Sequence, residues 1–307
     1  MRIIHDLAEL GRPAAPVVAL GNFDGVHVGH QAILQTAITR ARAIHGTAFA
    51  LTFDPLPAKV LAPERAPRLI LTSDDKAALL CSSGIDGVIV LRFTLELSKL
   101  TPREFAHEYI RERIGAHAVV VGHNVSFGHQ RAGNAATMTA LGHELGFTAI
   151  VVAPVKAGET EVSSTSVREA ITAGDLRQVT RMLGRNHFLR GPVVHGRERG
   201  RTIGFPTANV QPRTECLPPD GVYATRLVLA DGTYPSITNI GMRPTFAEPA
   251  RTFEAHIFAF NRDIYGQEVK LEIIERIRPE RKFASGQELA AQIATDLIRA
   301  KEILATA

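Results

Sequence analysis

VVALGNFDGVHVGHQAILQTAITRA, residues 17–41, carries the reading of the fold. An apolar, β-branched run at 17–20 leads through a turn containing Gly21, Gly25 and Gly29 into a helix-like stretch. A strand feeding a helix in this way opens a crossover connection, and crossovers build parallel sheets. Further short apolar runs at 47–53, 87–93, 118–121 and 147–152 alternate with amphipathic stretches. Thr101, Pro102 and Glu104 place a capping residue, a first-turn proline and a capping-box carboxylate ahead of the apolar Phe105 and Tyr109. Gly115 and Gly146 stand where helices should stop. The first half therefore reads as an open α/β parallel sheet, a fold that takes ligands beyond the carboxyl ends of its strands.

After about Leu183 the texture changes to extended runs of alternating polarity. GVYATRLVLA and TYPSITNIG flank Asp231 and Gly232, a pair suited to the positive φ angles of a type I′ hairpin turn. A second pair of runs, RTFEAHIFAF and EVKLEIIERI, brackets a loop at 261–266. This half reads as a β-barrel closed by a terminal helix that opens at Ser285 and Glu288, with Leu289, Ile293, Leu297, Ala300 and Leu304 as its buried stripe. The expected domains are 1–184 and 185–307, each long enough to bury a core of its own.

Composition narrows the class of function. Hydrophobic residues are 45% and charged residues 21% of 307, a globular profile that argues against disorder or a coiled coil. The start, MRIIHDLAELGRPAAP, has no long apolar core, and no apolar run in the chain is long enough to span a bilayer, so neither a signal peptide nor membrane insertion is expected. Two cysteines, Cys81 and Cys216, make no disulfide framework and no CxxC pair; they read as free packing thiols in a reducing, cytoplasmic compartment. A net charge of +4, with basic residues clustered only between Arg190 and Arg201, is too weak for a nucleic-acid binder and suits a phosphate-bearing small molecule. Oligomeric state is not readable from these patterns.

His27 and His30, three residues apart, share one face of a helix's first turn beside its amide dipoles, where phosphate oxygens would settle. Taken alone, the same spacing suits two surface histidines on a glycine turn, or a zinc site short of a third ligand. The glycines are spaced neither as a dinucleotide fingerprint nor as a P-loop. Ser166 and Glu169 would by themselves make an ordinary capping box, and Asp54 before Pro55 an ordinary turn residue. Thr207 and Asn209, two apart in an extended segment, project from one face and can offer oxygen to a hard cation. Glu254 lies among strand-like apolar neighbours; it either has a task or points to solvent with Thr252 and His256.

The larger frame is a resemblance. GNFDGVHVGH, residues 21–30, resembles the HxGH signature of nucleotidyltransferases and, over its whole length, the form found in bacterial FAD synthetases. TFDPLP at 52–57 resembles that family's FDPHP segment, with Leu56 in place of the histidine. VGHNVSFGHQRAG at 121–133 resembles VGxDFxFGxxRxG, with Asn124 and Val125 in place of the Asp-Phe pair, and VSSTSVRE at 162–169 resembles ISSTxIR. In the second half, GRERGRTIGFPTANV at 196–210 resembles the riboflavin kinase loop ending in PTAN. NIGMRPTF at 239–246, DIYG at 263–266 and Arg281, Lys282 and Phe283 resemble further segments of such kinases. The chain thus resembles, over almost its whole length, the bifunctional riboflavin kinase/FMN adenylyltransferase family.

That resemblance implies a Rossmann-like nucleotidyltransferase domain followed by a riboflavin-kinase barrel. The barrel would phosphorylate riboflavin with ATP to FMN and ADP, and the first domain would adenylylate FMN with ATP to FAD and pyrophosphate, both with Mg²⁺. For the first domain it implies His27 and His30 as catalytic residues. Nucleotide would bind at Gly21, Asn22, Phe23, Asp24, Gly25 and Gly29, and at Ser163, Ser164, Thr165 and Arg168. Flavin would meet Asp54, Asn124, Phe127 and Arg131. For the second it implies Glu254 as the base for the ribityl hydroxyl, Gly196, Gly200, Gly204, Pro206 and Thr207 around the nucleotide, Thr207 and Asn209 as metal ligands, and Arg281 and Phe283 at the flavin. Phe283 suits equally a staple packing the last helix on the barrel. Two other readings remain at this stage: a kinase whose adenylyltransferase domain is impaired by the departures at Leu56, Asn124 and Val125, and a flavin-binding regulator without turnover.

Overall fold

The computed structural model describes residues 2–196, 205–243 and 250–306. It divides into two compact units, Met1–Ser166 and Val167–Ala307.

In the first unit the chain runs β1 (Arg2–Ile4), β2 (Val17–Leu20), α1 (Val28–Ala43), β3 (Ala48–Asp54), α2 (Pro57–Leu61), α3 (Ser73–Ser82) and β4 (Gly87–Arg92). It continues through α4 (Pro102–Phe105), prolonged by a π-helical stretch Ala106–Arg113, then β5 (Ala118–Gly122), α5 (Ala135–Leu145), β6 (Thr148–Val152), the short pair β7 (Lys156–Ala157) and β8 (Thr160–Glu161), and the start of α6 (Ser164–Ala173). The strand at 2–4 is too short to leave a periodic signal; the other strands of the sheet are those read from the sequence.

The sheet order is β1-β4-β3-β2-β5-β6, and every pairing in it is parallel. Crossovers cover both faces, so Val17, Val18 and Ala19 of the central strand are wholly buried. The chain leaves β2 toward β3 on one side and returns to β5 on the other. That reversal opens a crevice at the carboxyl ends of β2 and β5, where such sheets bind ligands. The expected capping box is present in both directions: Glu104 N donates to Thr101 Oγ1 at 3.2 Å and Thr101 N to Glu104 Oε2 at 2.8 Å. Gly146 ends α5 with φ +80°, a conformation that favours glycine.

The second unit holds the rest of α6, α7 (Leu176–Leu183), β9 (His187–Val194), β10 (Ala208–Val210), β11 (Gly221–Leu229), β12 (Gly232–Arg243), β13 (Ala250–Ile257), β14 (Glu268–Pro279) and α8 (Gly286–Thr306). Six strands close as β10-β13-β12-β11-β14-β9, antiparallel throughout. Tyr223, Leu227, Ile240, Phe253, Ala255, Leu271 and Ile273 fill the inside, and Val222, Ala224, Ile237 and Ile274 face out under Ala300 and Ile303 of α8. Each large apolar side chain buried in this way is worth about 1.5–3 kcal/mol.

Leu176 of α7 joins the barrel core and Arg177 pairs with Glu275 at 2.9 Å. Three sequence readings change here. The turn after β11 falls at Ala230 and Asp231, with Leu229 opposite Gly232, and these residues have no positive φ, so it is not type I′. Tertiary ties from Asp231 to Arg262 and Tyr234 hold it instead. The runs at 251–260 and 268–277 are not a hairpin: β13 pairs with β10 and β12, and β14 with β11 and β9. Finally, in α8 the buried face is Asp296, Ala300 and Ile303, with Leu297 and Leu304 at its margin. Asp296 is buried because the Arg278 guanidinium neutralises it at 2.9 Å.

Candidate active sites

The turn at residues 21–30 is folded tightly. Phe23 and Val26 take φ +52° and +40°, and Gly25 takes +88° with the Ile70 side chain packed against it. Such angles cost a bulky residue free energy and persist only where packing imposes them. Phe23 is fully buried and meets the His30 ring edge-on at 5.2 Å. His27 caps α1: its Nδ1 accepts the backbone N–H of His30 at 3.2 Å, so a neutral His27 carries its proton on Nε2. The two imidazoles stack with centroids 3.5 Å apart. A Cβ at Gly29 would stand 3.2 Å from the His27 ring, so glycine keeps that ring in place.

His27 and His30 line a cavity of about 350 Å³ together with Gly21, Asn22, Gly29, Ser163, Ser164 and Thr165. Asn124, Phe127 and Arg131, from the loop after β5, line the same cavity. Two expected sets, nucleotide and flavin, are thus brought together at the reversal of strand order. The first turns of α1 and α6 both open on it, and each helix N-terminus favours an anion by about 0.3–1 kcal/mol. The capping exchange at α6 is between Ser163 and Ser166, Ser166 N to Ser163 Oγ at 3.1 Å and Ser163 N to Ser166 Oγ at 2.9 Å. The helix therefore begins earlier than a Ser166–Glu169 box would place it, and Ser164 Oγ is anchored on the Asp24 carbonyl at 2.9 Å.

Burial, then His27 and Lys76, hold the His30 imidazole well below its ordinary pKa, so it stays neutral at neutral pH. Its Nδ1 is buried without a hydrogen-bond partner among the described residues. Lys76 gave no signal in the sequence, where SDDK reads as a solvated first turn, yet it is buried and donates to the Phe53 carbonyl at 2.9 Å. Burial lowers its pKa against the opposing pull of Asp54 and Asp24.

Several of the expected residues are not on this lining. The Asp24 carboxylate is buried and accepts the backbone N–H groups of Ile70 and Leu71, at 3.1 and 3.3 Å, and neither it nor Phe23 and Gly25 lines the cavity. Asp54 accepts from Ser73 Oγ at 2.5 Å, and it is Phe53 that reaches the cavity wall. Leu56, the substituted position, is buried away from the lining, whereas Asn124 and Val125 are on it. Arg168 stands on α6 one turn after Ser164 and is not on the lining. His123, on the lining, pairs with Glu161 at 2.9 Å; the motif around Asn124 could have marked it.

The barrel has its own cavity of about 430 Å³, lined by Pro206, Thr207 and Ala208, by Ala255 and Ile257, and by the loop from Phe260 to Tyr265. Asn209 and Glu254 are not on this lining; they are directly opposed across β10 and β13, and Asn239 of β12 stands opposite Glu254 on the other side. Phe253 and Ala255 are buried inside the barrel, so Glu254 is on the outer face with Thr252 and His256. Gly196 packs so closely on the Asn209 amide that a Cβ would collide with it. Arg281 lies over the Phe283 ring at 4.5 Å and pairs with Glu288, with Arg278 at 5.6 Å from the same ring; neither Arg281 nor Phe283 lines the cavity. Gly200 and Gly204, with the last residues of NIGMRPTF, lie outside the described residues.

Comparison with known proteins matches the FAD synthetase family model to residues 11–166 and the riboflavin kinase model to 183–304. The bifunctional riboflavin kinase/FMN adenylyltransferase of Escherichia coli K12 is 35% identical over 303 residues, 98% of this chain and 96% of that one. The Bacillus subtilis protein of the same name is 37% identical over 289 residues, 92% and 90% of the two chains. A crystal structure described as a macrolide-efflux protein from Streptococcus pneumoniae superposes with a TM-score of 0.88 at 32% identity, covering 97% and 98%. Among the described residues of this chain no helix is long and apolar enough to cross a membrane. With a histidine pair at the strand reversal, an asparagine–glutamate register on the barrel and relatives matched end to end, the chain belongs to the bifunctional riboflavin kinase/FMN adenylyltransferase family.

Proposed function

We infer that this chain makes FAD from riboflavin in two steps at two sites: the second unit transfers the γ-phosphoryl group of ATP to riboflavin, giving FMN and ADP, and the first joins FMN to the adenylyl group of ATP, giving FAD and pyrophosphate. One observation carries the reading: each unit has its own cavity bordered by the residues expected to hold phosphate, His27, His30 and Ser163 to Thr165 in one, Pro206 and Thr207 in the other.

In the first step of the chemistry a riboflavin hydroxyl oxygen forms a bond to the γ-phosphorus as the bond to ADP breaks. Glu254 accepts the hydroxyl proton. In the second, an FMN phosphate oxygen attacks the α-phosphorus and pyrophosphate leaves. No protein nucleophile is needed, because that oxygen is already ionised. Catalysis there rests on alignment and on donors aimed at developing charge: neutral His30, the Nε2–H of His27, and the amides of α1 and α6. Asn124, Phe127 and Arg131 take the flavin side of the same cavity.

The Thr207 hydroxyl and the Asn209 amide offer oxygen donors of the kind Mg²⁺ takes, and Glu254 stands opposite Asn209 across the β10–β13 ladder. Thr207 and Asn209 would hold the ion, which when bound neutralises phosphate charge. Arg281 and Phe283 are the flavin contacts proposed for the barrel, and 1–184 and 185–307 the functional domains. The reactions are placed in the cytoplasm, and Cys81 and Cys216 form no disulfide among the described residues.

Incubating the purified protein with riboflavin, ATP and Mg²⁺ and separating the flavins tests this reading. FMN and FAD together are expected. FMN alone would mean that Asn124 and the other departures disable the first unit; unchanged riboflavin would leave a binding protein without turnover.

A further inference from the structure

The segment Phe205, Pro206, Thr207 precedes β10 and is not part of it. The β10–β13 ladder runs from Val210↔Phe253 to Ala208↔Ala255 and ends there. Pro206 has no N–H with which to extend it. Among the described residues a side chain of β13 reaches this segment: His256 Nδ1 lies 2.8 Å from the Pro206 carbonyl oxygen. A carbonyl only accepts, so Nδ1 carries the proton and donates. The ring also meets Phe205 edge-on at 5.7 Å.

His256 is two residues from Glu254, and the intervening Ala255 points into the barrel, so both project from the outer face of one strand. We propose that His256 is a positioning residue of the kinase site, which grips the Pro206 carbonyl and thereby sets Thr207 at a fixed offset from Glu254. Placement of the phosphates and removal of the hydroxyl proton are then indexed to the same strand. The inference rests on the kinase reading above. It concerns geometry rather than charge, since both the Nδ1–H tautomer and the imidazolium keep the donor.

Two variants separate the bond from the ring. His256→Phe keeps an aromatic ring against Phe205 and removes the donor; His256→Asn removes the ring and places an amide N–H near the position of Nδ1. Riboflavin phosphorylation is measured with ATP and riboflavin varied separately, FAD formation from supplied FMN serves as control, and the near-ultraviolet tyrosine signal reports the fold. The expected result is an ATP KM raised about tenfold in His256→Phe, the order of one hydrogen bond, and restored to within about twofold in His256→Asn. The riboflavin KM should not move in either. Wild-type ATP KM in His256→Phe, equal losses in both variants, or a loss confined to His256→Asn would each overturn the proposal. Wild-type protein that forms no FMN would instead remove the kinase reading beneath it.

Discussion

On the function proposed, the two units handle phosphate by different means. In the first, backbone does much of the work: a parallel sheet sends its chain out at the carboxyl ends of β2 and β5, and the first turns of α1 and α6 open on one cavity. In the barrel, among the described residues, no helix start lines the cavity, and the expected chemistry sits on side chains set by register, Asn209 against Glu254 and His256 against Pro206. An amide cradle is shared among many groups and tolerates substitution at any one of them. A strand face concentrates its chemistry on single residues.

The comparison can be broken most sharply at Glu254. Glu254→Ala should lower FMN formation by about 10²–10⁴-fold, the usual worth of a general base, while FAD formation from supplied FMN continues. If both reactions stopped in a folded protein, the division between the units would be wrong. His30→Ala should do the converse, lowering FAD formation by about 10²–10³-fold, as for the loss of one preorganised donor, and sparing FMN. The smaller expectation follows from the cradle: Ser163, Thr165 and the helix amides remain on the cavity.

A third test sharpens the contrast through stability. His187 at the start of β9 is 2% exposed; burial, then Arg185, push its pKa down to about 4 against a hydrogen bond with the Cys216 backbone. The unfolded chain, with an ordinary imidazole, takes up a proton below about pH 6.5 and the folded barrel does not until about pH 4. Stability from this group is therefore complete above about 6.5 and falls between those values, by about 3 kcal/mol in all. Denaturant unfolding followed by tyrosine emission at several pH values checks this, since Tyr223, Tyr234 and Tyr265 lie in the barrel and Tyr109 does not. His187→Asn should flatten the slope; a slope unchanged in that variant would assign the acid sensitivity to another group.

Much of this was legible because it is local. The apolar runs at 17–20 and 118–121, the box at Thr101 and Glu104, and the glycine turn before His27 each declare themselves within a few residues, through propensity and capping chemistry. The pairing of His27 with His30 is likewise a consequence of helix spacing. What escaped was decided at long range. SSTSVRE suggested a Ser166–Glu169 box, but Ser163 and Ser166 make the exchange, and the anchoring of Ser164 on the Asp24 carbonyl goes with it. The amides of Ile70 and Leu71, more than forty residues away, donate to the Asp24 carboxylate.

The sequence by itself determined the two kinds of sheet and where the helices start and stop along most of the chain, and it singled out the candidates for the chemistry, because turns, caps and periodicity act between near neighbours. Only the tertiary structure decided that β13 and β14 part company around the barrel, that Asn209 meets Glu254, and that Lys76 stands buried near His30. Strand order, register and the burial of a charge depend on which distant surfaces exclude water together, and no local pattern encodes that choice.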